Sequence, residues 1–431
     1  MIAAEVYLWG SLIGVVEQED VSDVPRFSYD PSFQRSGIEV SPLVMPLSAR
    51  VFSFPSLNEE SFHRLPGLLA DSLPDKFGTR LIERYLSDRG RTLSSLTAVE
   101  RLCYTGSRGM GALEYVPSLR FSDTKDGTVD VEALIRLASD VLNERESMHI
   151  GDSGQMMEQI LQIGTSAGGA RAKAVVAWNE ETGDIRSGQV DAGSGYGYWI
   201  IKFDGVENNK DKGNRPDDRA YTRIEYAYSL MATAAGIRMQ PCRLLKRAGH
   251  FHFMTKRFDR DAKTGDKLHV LTLGGLAHFD YNAPGAHSYE QAAQVLRGIG
   301  AGQDDTEELF RRMVFNVITR NHDDHVKNSS FLMNRDGQWR LSPAYDITFA
   351  FAPSNYWLAR HQMSVNGKQE EIEEEDILSC GRSMDLGRGR MKRIIGEVRE
   401  AAGAWRRFAE ESNVPEKKAE AIGNCFCFLE K

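Results

Sequence analysis

Apolar and polar positions alternate with period two along the opening stretch MIAAEVYLWGSLIGVV. The alternation turns over at Gly10-Ser11, which predicts a hairpin from Val6 to Val16. After Arg26-Phe27-Ser28-Tyr29-Asp30 and a Pro-rich stretch from Ser41 to Pro46, the spacing becomes helical. Phe62, Leu65, Leu68 and Leu69 predict one helix, ending at Leu73-Pro74-Asp75, and Lys76 to Leu86 predict a second, closed by Gly90. Gly106-Ser107-Arg108-Gly109-Met110-Gly111-Ala112-Leu113 lacks the Lys-Ser/Thr of a P-loop and reads as a tight turn before a strand. Downstream, Tyr198 to Phe203 is an apolar strand interrupted by Lys202. Asp218 to Ala235 is a helix striped with Ile224, Ala227, Tyr228 and Met231 and stopped by Gly236. His250 to Phe258 alternates like a strand and runs into Asp259-Arg260-Asp261. Glu307 to Ile318 carries Leu309, Phe310, Met313, Val314, Val317 and Ile318 as a buried helix, and Lys392 to Glu411 reads as helical again.

A chain of 431 residues fits two or three domains at roughly 100–200 residues each. Residues 1–120 read as a small mixed domain, and 121–152 as a polar connection with a helix from Val131 to Leu142. The 41% hydrophobic and 26% charged composition is that of an ordinary globular protein, and no run reaches the ~18 apolar residues of a membrane span. The first residues lack a basic region and carry Glu5, unlike a signal peptide, so a cytoplasmic location is expected. A net charge of −8 argues against broad nucleic-acid binding. Five scattered cysteines do not form a disulfide framework, and the tail pair Cys425 and Cys427 reads as packing rather than metal binding. Glu370 to Asp376 reads as a solvated acidic face.

Chemistry concentrates at the end of the buried helix, in Asn321-His322-Asp323-Asp324-His325-Val326-Lys327-Asn328. Asp323 and Asn328 have the D-x-x-x-x-N spacing of a protein-kinase catalytic loop. There the Asp takes the substrate hydroxyl proton, the Asn holds a Mg²⁺, and a later Asp beyond a hairpin completes the metal site. Asp346, in Pro343-Ala344-Tyr345-Asp346, has that later place, and Asp324 lacks the spacing. Upstream, residues 163–178 read strand, small-residue loop, strand. Gly168, Gly169 and Ala170 permit close approach to phosphate, and Arg171 and Lys173 add positive charge, although the same residues read equally as a plain hairpin. Lys202, inside an apolar strand, suits the lysine that grips nucleotide phosphates. Glu225, on the next helix, is either its acidic partner or a solvated helix charge. Residues 250–258 read as a hinge in which the backbone of Lys256 and Phe258 meets adenine, or as a core strand ending in surface ion pairs.

These parts, in this order, resemble the HipA family of serine/threonine kinases, the toxins of bacterial toxin–antitoxin pairs. The resemblance runs through the opening hairpin, the Ser41–Leu47 stretch, Leu73-Pro74-Asp75 and the Gly106–Leu113 turn. It continues through Ser166-Ala167-Gly168-Gly169-Ala170-Arg171-Ala172-Lys173, Arg257-Phe258-Asp259-Arg260, Asp323 to Asn328 and Pro343 to Asp346. It implies an α+β, bilobal protein-kinase-like fold with an N-terminal mixed subdomain (1–120). An ATP-binding part (153–260) and a mainly helical catalytic lobe (261–431) would follow the connection. It makes Asp323 the catalytic base, Asn328 and Asp346 the Mg²⁺ ligands and Lys202 the phosphate lysine. The loop Gly168, Gly169, Ala170, Arg171, Ala172 and Lys173 would cover ATP, with His325 and Tyr345 close by. Ser166 matches the family's autophosphorylated serine, and Thr165 is a second acceptor; about −1.5 to −2 charges there would oppose ATP phosphates. Lys256 stands where an acidic residue is usual, and Arg171-Ala172 replace a more polar pair.

The resemblance further implies an aminoacyl-tRNA synthetase as target, glutamyl-tRNA synthetase first. It also implies a HipB-like helix-turn-helix antitoxin, with DNA met only through that partner and no membrane association. Two rival readings are a catalytically weak pseudokinase that serves as a binding partner, and a metal-dependent phosphohydrolase built on His322-Asp323-Asp324-His325. The hydrolase needs further histidines on helices, whereas His250, His252, His269, His278 and His287 fall mostly in strand- or loop-like stretches.

Overall fold

The computed structural model describes residues 2–87, 89–119, 135, 171–188, 192–206, 220–247, 249–260 and 265–429. The chain forms two compact units. One comprises Met1–Glu39, Leu47–Arg219 and Leu245–Val270, and the other comprises Val40–Pro46, Ala220–Leu244 and Leu271–Lys431.

The first unit opens with strands β1 (Ile2–Leu8), β2 (Ser11–Gln18) and β3 (Arg26–Tyr29), joined by β4 (Leu113–Val116) in a sheet of order β3-β2-β1-β4. Trp9 and Gly10 both have positive φ (51° and 80°), the requirement of a two-residue turn whose twist matches the strands it joins. Ala4, Val6 and Leu8 point into the core, as the alternation predicts. The single helix expected over Phe62–Leu69 is two short ones, α1 (Glu59–Phe62) and α2 (Gly67–Ala70). His63 and Arg64 take left-handed backbone (φ 49° and 55°) and Pro66 is extended, so helical spacing survives a break in the helix itself. Helix α3 (Lys76–Ser87) buries Phe77, Leu81, Ile82 and Leu86, and α4 (Ala98–Thr105) starts from a Thr97–Glu100 capping box.

The apolar face of α3 packs with Val176, Trp199, Ile201 and Met254 of a second sheet. This sheet holds β5 (Lys173–Trp178), β6 (Ile185–Ser187), β7 (Gly197–Lys202), β8 (Cys242–Arg247) and β9 (His250–Lys256), in the order β6-β5-β7-β9-β8. Its third strand in the chain, β7, is central and pairs antiparallel with β5 and β9.

In the second unit, α5 (Tyr221–Ala234) ends before Gly236 (φ 78°). Strand β10 (His269–Thr272), followed by α6 (Leu273–Ala277), enters a sheet with residues 330–333 and 339–341. Strand β11 (His287–Ser288) leads into α7 (Tyr289–Gly298), and α8 (Gln303–Thr319) follows. Strands β12 (Ser330–Met333) and β13 (Trp339–Leu341) form the expected hairpin, and β14 (Met363–Ser364) lies parallel to β11. Helices α9 (Glu374–Ser383), α10 (Arg388–Gly403), α11 (Trp405–Glu411) and α12 (Glu416–Gly423) complete the unit. The one helix expected from Lys392 to Glu411 breaks at Ala404, just after Gly403, and Trp405 then donates Nε1–H to the Ala419 carbonyl at 2.8 Å.

Helix α8 is buried nearly all round and carries the unit's core on Leu309, Phe310, Met313, Val314, Phe315, Val317 and Ile318. Residues 425–429 strap its C-terminal end. Cys427 N–H donates to Ile318 O (2.8 Å), Arg320 Nε donates to Cys425 O (3.0 Å), and Phe426 packs on Trp405 and Tyr228. The acidic run is not a merely solvated face. Asp376 is buried and accepts from Lys368 Nζ, Asn366 Nδ2 and the Glu373 N–H, which caps α9. Among the described residues, no helix is long and apolar enough to cross a membrane.

Candidate active site

Helix α8 stops at Arg320, whose left-handed backbone (φ 59°) turns the chain into the Asn321–Asn328 loop. From His322 to Lys327, loop residues then alternate between buried and partly exposed. Asn321, His322 and Asp324 are buried, while the Asp323 side chain is 25% exposed. Asp324 is fully committed inside the unit. It accepts from Tyr289 Oη (2.8 Å), His361 Nδ1 (3.0 Å) and the Gln362 N–H (2.7 Å). Burial alone would raise its pKa, but His361, Tyr289 and Gln362 outweigh that and hold it below the usual carboxylate value. Asp323 is thus the less buried of the two acids, with His325 Nε2 at 3.8 Å from its Oδ1.

Asn328 Nδ2 donates to the Asp323 carbonyl at 2.6 Å, so its Oδ1 is the side-chain atom able to ligate a cation. The β12–β13 hairpin returns the chain through Ala344, whose N–H donates to Arg238 O at 2.8 Å, to Asp346. Asp346 sits at φ 52°, a left-handed conformation that asparagine and aspartate tolerate better than most residues. Tyr345 ties the two segments together, with its hydroxyl 2.6 Å from Lys327 O and 2.5 Å from Ser330 Oγ. Asn328, Tyr345 and Asp346 line one cavity of about 20 Å³, together with Asp324, Asn321 and Arg312. An amide oxygen and a carboxylate converging there suit a hard cation such as Mg²⁺, which keeps much of its shell for water and phosphate.

The hydrolase reading finds no such convergence. His322 packs between Phe351 and His361, and His325 lies toward Tyr281. Among the described residues, no group of three or more His, Cys, Asp or Glu side chains is arranged to hold a metal.

The sheet of the first unit brings together two further candidates. Lys173 and Lys202 are direct partners across the β5–β7 ladder, so their side chains leave the same face. Both are almost buried, at 3% and 6% exposure, and Asp75 of the Leu73-Pro74-Asp75 motif lies 4.0 Å from Lys173 Nζ. Like charges so placed repel unless anions join them, which makes this face a candidate for phosphate. Ala172 instead packs in the core, and its carbonyl accepts from Phe203 N–H. Arg171 is partly exposed. Thr165, Ser166, Gly168, Gly169 and Ala170, and all but one residue of the 131–142 helix, lie outside the described residues. Glu225 is buried on α5, so it is not a solvated helix charge, and it belongs to the second unit whereas Lys202 belongs to the first.

Lys256 ends β9 and pairs with Trp199, with Phe258 two residues beyond. The ion pairs after this strand are buried, not on the surface. Arg257 grips Asp259 with both Nε and Nη2 (2.8 and 2.6 Å), and Arg260 Nη1 adds a third contact at 2.8 Å. The Gly111 N–H of the glycine-rich turn completes the set. Sequence reasoning missed this junction, as well as Tyr289, Asn316, His361 and Gln362 around Asp324. None of these lies at a spacing that singles it out.

Two family models match the chain: the HipA-like C-terminal domain over residues 165–405 and the HipA N-terminal domain over residues 4–116. A Haemophilus influenzae protein provisionally named a kinase is 28% identical over 34% of this chain. That match spans 48% of the relative's own length. Among solved structures, the chain is similar to HipA of the Shewanella oneidensis MR-1 toxin–antitoxin system, solved in complex with HipB and operator DNA. The TM-score is 0.66 at 15% identity, over 98% of this chain and 94% of that one. The shared feature is a mixed α/β HipA-like kinase fold.

Proposed function

The chain belongs to the HipA family, and on that premise we propose that it is an ATP-dependent protein serine/threonine kinase of the HipA toxin type. The observation that carries the reading is the arrangement of Asp323, Asn328 and Asp346. Asn328 and Asp346 line one cavity, and the partly exposed Asp323 carboxylate lies on the same loop as Asn328, beside an acid, Asp324, that is fully hydrogen-bonded. Mg²⁺, when bound, neutralises charge on the phosphates. Asn328 and Asp346 would hold it. Asp323 orients the acceptor hydroxyl and takes its proton. Lys202, with Lys173 beside it, offers positive charge to the phosphates, and the backbone of Lys256 and Phe258 meets the adenine. Gly168, Gly169, Ala170, Arg171 and Ala172 would cover the nucleotide. Little covalent chemistry falls to the protein, so position and charge set the rate.

On the same reading, Ser166 or Thr165 is the autophosphorylation site, and the external target is an aminoacyl-tRNA synthetase, glutamyl-tRNA synthetase first. A HipB-like helix-turn-helix protein is the antitoxin partner and brings any contact with DNA. The complex of the Shewanella relative with HipB and operator DNA supports that partner class. The decisive experiment incubates the purified chain with labelled ATP and Mg²⁺ and maps the label. Phosphate on Ser166 or Thr165, absent in Asp323→Asn, is the expected result. Label that persists in Asp323→Asn overturns the assignment of the base. ATP binding without any transfer marks a pseudokinase.

A further inference from the structure

We infer that Asp324 is a positioning residue, a buried anchor that fixes the direction in which its neighbour Asp323 presents its carboxylate; this rests on the kinase reading above. Asp324 is buried, and its three hydrogen bonds come from two separate segments of the same unit. Tyr289 begins α7, and His361 and Gln362 immediately precede β14. The chain of contacts continues past Tyr289. Asn316 Nδ2 on α8 donates to Tyr289 Oη at 3.0 Å, and Asn321 Nδ2 donates to Asn316 Oδ1 at 2.9 Å.

Asn321 and Asp324 are therefore two ends of one network that closes on itself through Asn316 and Tyr289. Only His322 and Asp323 lie between them. The His322 N–H is also fixed, by Ala350 O at 3.1 Å, and its ring lies 4.1 Å from that of His361. With both flanks pinned to buried partners, the peptide carrying Asp323 has almost no freedom to rotate. That is the condition for a base that must meet a hydroxyl within hydrogen-bond reach.

The geometry also assigns charge. A buried carboxylate with three donors stays ionised, so the His361 Nδ1 facing it carries a proton. Replacing Asp324 with asparagine keeps the shape but weakens all three contacts together, and Tyr289→Phe removes one of them.

The test is a double-mutant cycle on the full chain, read by kcat and by KM for ATP, with amide hydrogen exchange over residues 321–328. Asp324→Asn should lower kcat by roughly 100-fold, the cost of about 1 Å of misplacement, with KM for ATP within about twofold. Tyr289→Phe should lower kcat by about tenfold, and the double variant should be no slower than Asp324→Asn alone, because both act through one network. Exchange over 321–328 should quicken in each single variant. Additive losses, or a folded Asp324→Asn with unchanged kcat, would overturn the inference. A wild-type protein with no phosphoryl transfer would sink the kinase reading instead. The exchange data would still decide whether Asp324 anchors the loop, and unchanged protection would refute it.

Discussion

The backbone N–H of Gly111 donates to Oδ2 of Asp259 at 2.8 Å, across 148 positions of sequence, and so joins a turn of the N-terminal subdomain to the end of strand β9. Asp259 is completely buried between Arg257 and Arg260. Burial opposes its charge, but the two guanidinium groups outweigh that and hold its pKa far below the ordinary carboxylate value. Removing the acid strands two cations. Asp259→Asn should therefore cost about 3–5 kcal/mol of unfolding free energy in urea titration. Gly111→Ala should cost about 1–2 kcal/mol or more, since φ is +80° and an added Cβ would lie 3.0 Å from Val270 N. A loss below about 1 kcal/mol for Asp259→Asn would show that the cluster is not a clamp.

Tyr345 holds the loop of Asn328 against the segment of Asp346 through a single hydroxyl. Tyr345→Phe should destabilise the protein by about 1–3 kcal/mol, because Lys327 O and Ser330 Oγ lose a partner in a part-buried setting. On the proposed kinase reading, the Mg²⁺ dependence of activity should shift to higher concentration, as the two proposed ligands are no longer tied together. Equal stability and an unchanged Mg²⁺ titration would show the tie to be dispensable.

Lys173 and Lys202 face one another with little solvent between them and the core. An anion placed there relieves their repulsion, so ATP or inorganic pyrophosphate should raise Tm, by less as salt increases. Lys202→Met and Lys173→Met should each abolish most of that shift. A full shift in both variants would place the phosphates elsewhere.

Acid should destabilise the fold before any carboxylate titrates. Burial drives the His322 imidazole down to about 3, with His361 adding to the effect, and burial drives His252 and His278 down to about 4. An unfolded histidine titrates near ~6.5, so below that pH the unfolded chain binds more protons than the folded one. The stabilisation is complete above about 6.5 and is lost as pH falls toward 4. Asp324 and Asp259, with lowered values, contribute above about 4 and lose that contribution only below it. Tm should fall between pH 7 and 4.5, and less steeply in His278→Gln. A flat Tm over that range would contradict the assignment.

The proposed catalytic floor can be assembled from residue order because its members are local: Asp323, Asn328 and Asp346 sit on one loop and just past the hairpin after it. Helix α8 was equally legible, since a helix buried on every side leaves a continuous apolar signature. Spacing alone separates Asp324 from Asp323, and nothing in the sequence near Asp324 marks the three donors that surround it. What stayed hidden depends on distant partners. Nothing near Asp259 announces Gly111, and Asp75 carries no mark that it will meet Lys173. The break at His63–Pro66 was lost because apolar spacing records which side a residue faces, whether or not the helix continues.

Residues Val40–Pro46 belong to the second unit although the chain before and after them belongs to the first, and Leu43 packs beside Gly298 on α7. Neither unit is therefore one uninterrupted piece of polypeptide. A ribosome must release the chain well beyond residue 271 before this early heptapeptide finds its neighbours. Until then the heptapeptide, made long before the rest of its unit, has no surface of that unit to pack on. A translation product that stops short of residue 271 therefore carries only fragments of the second unit.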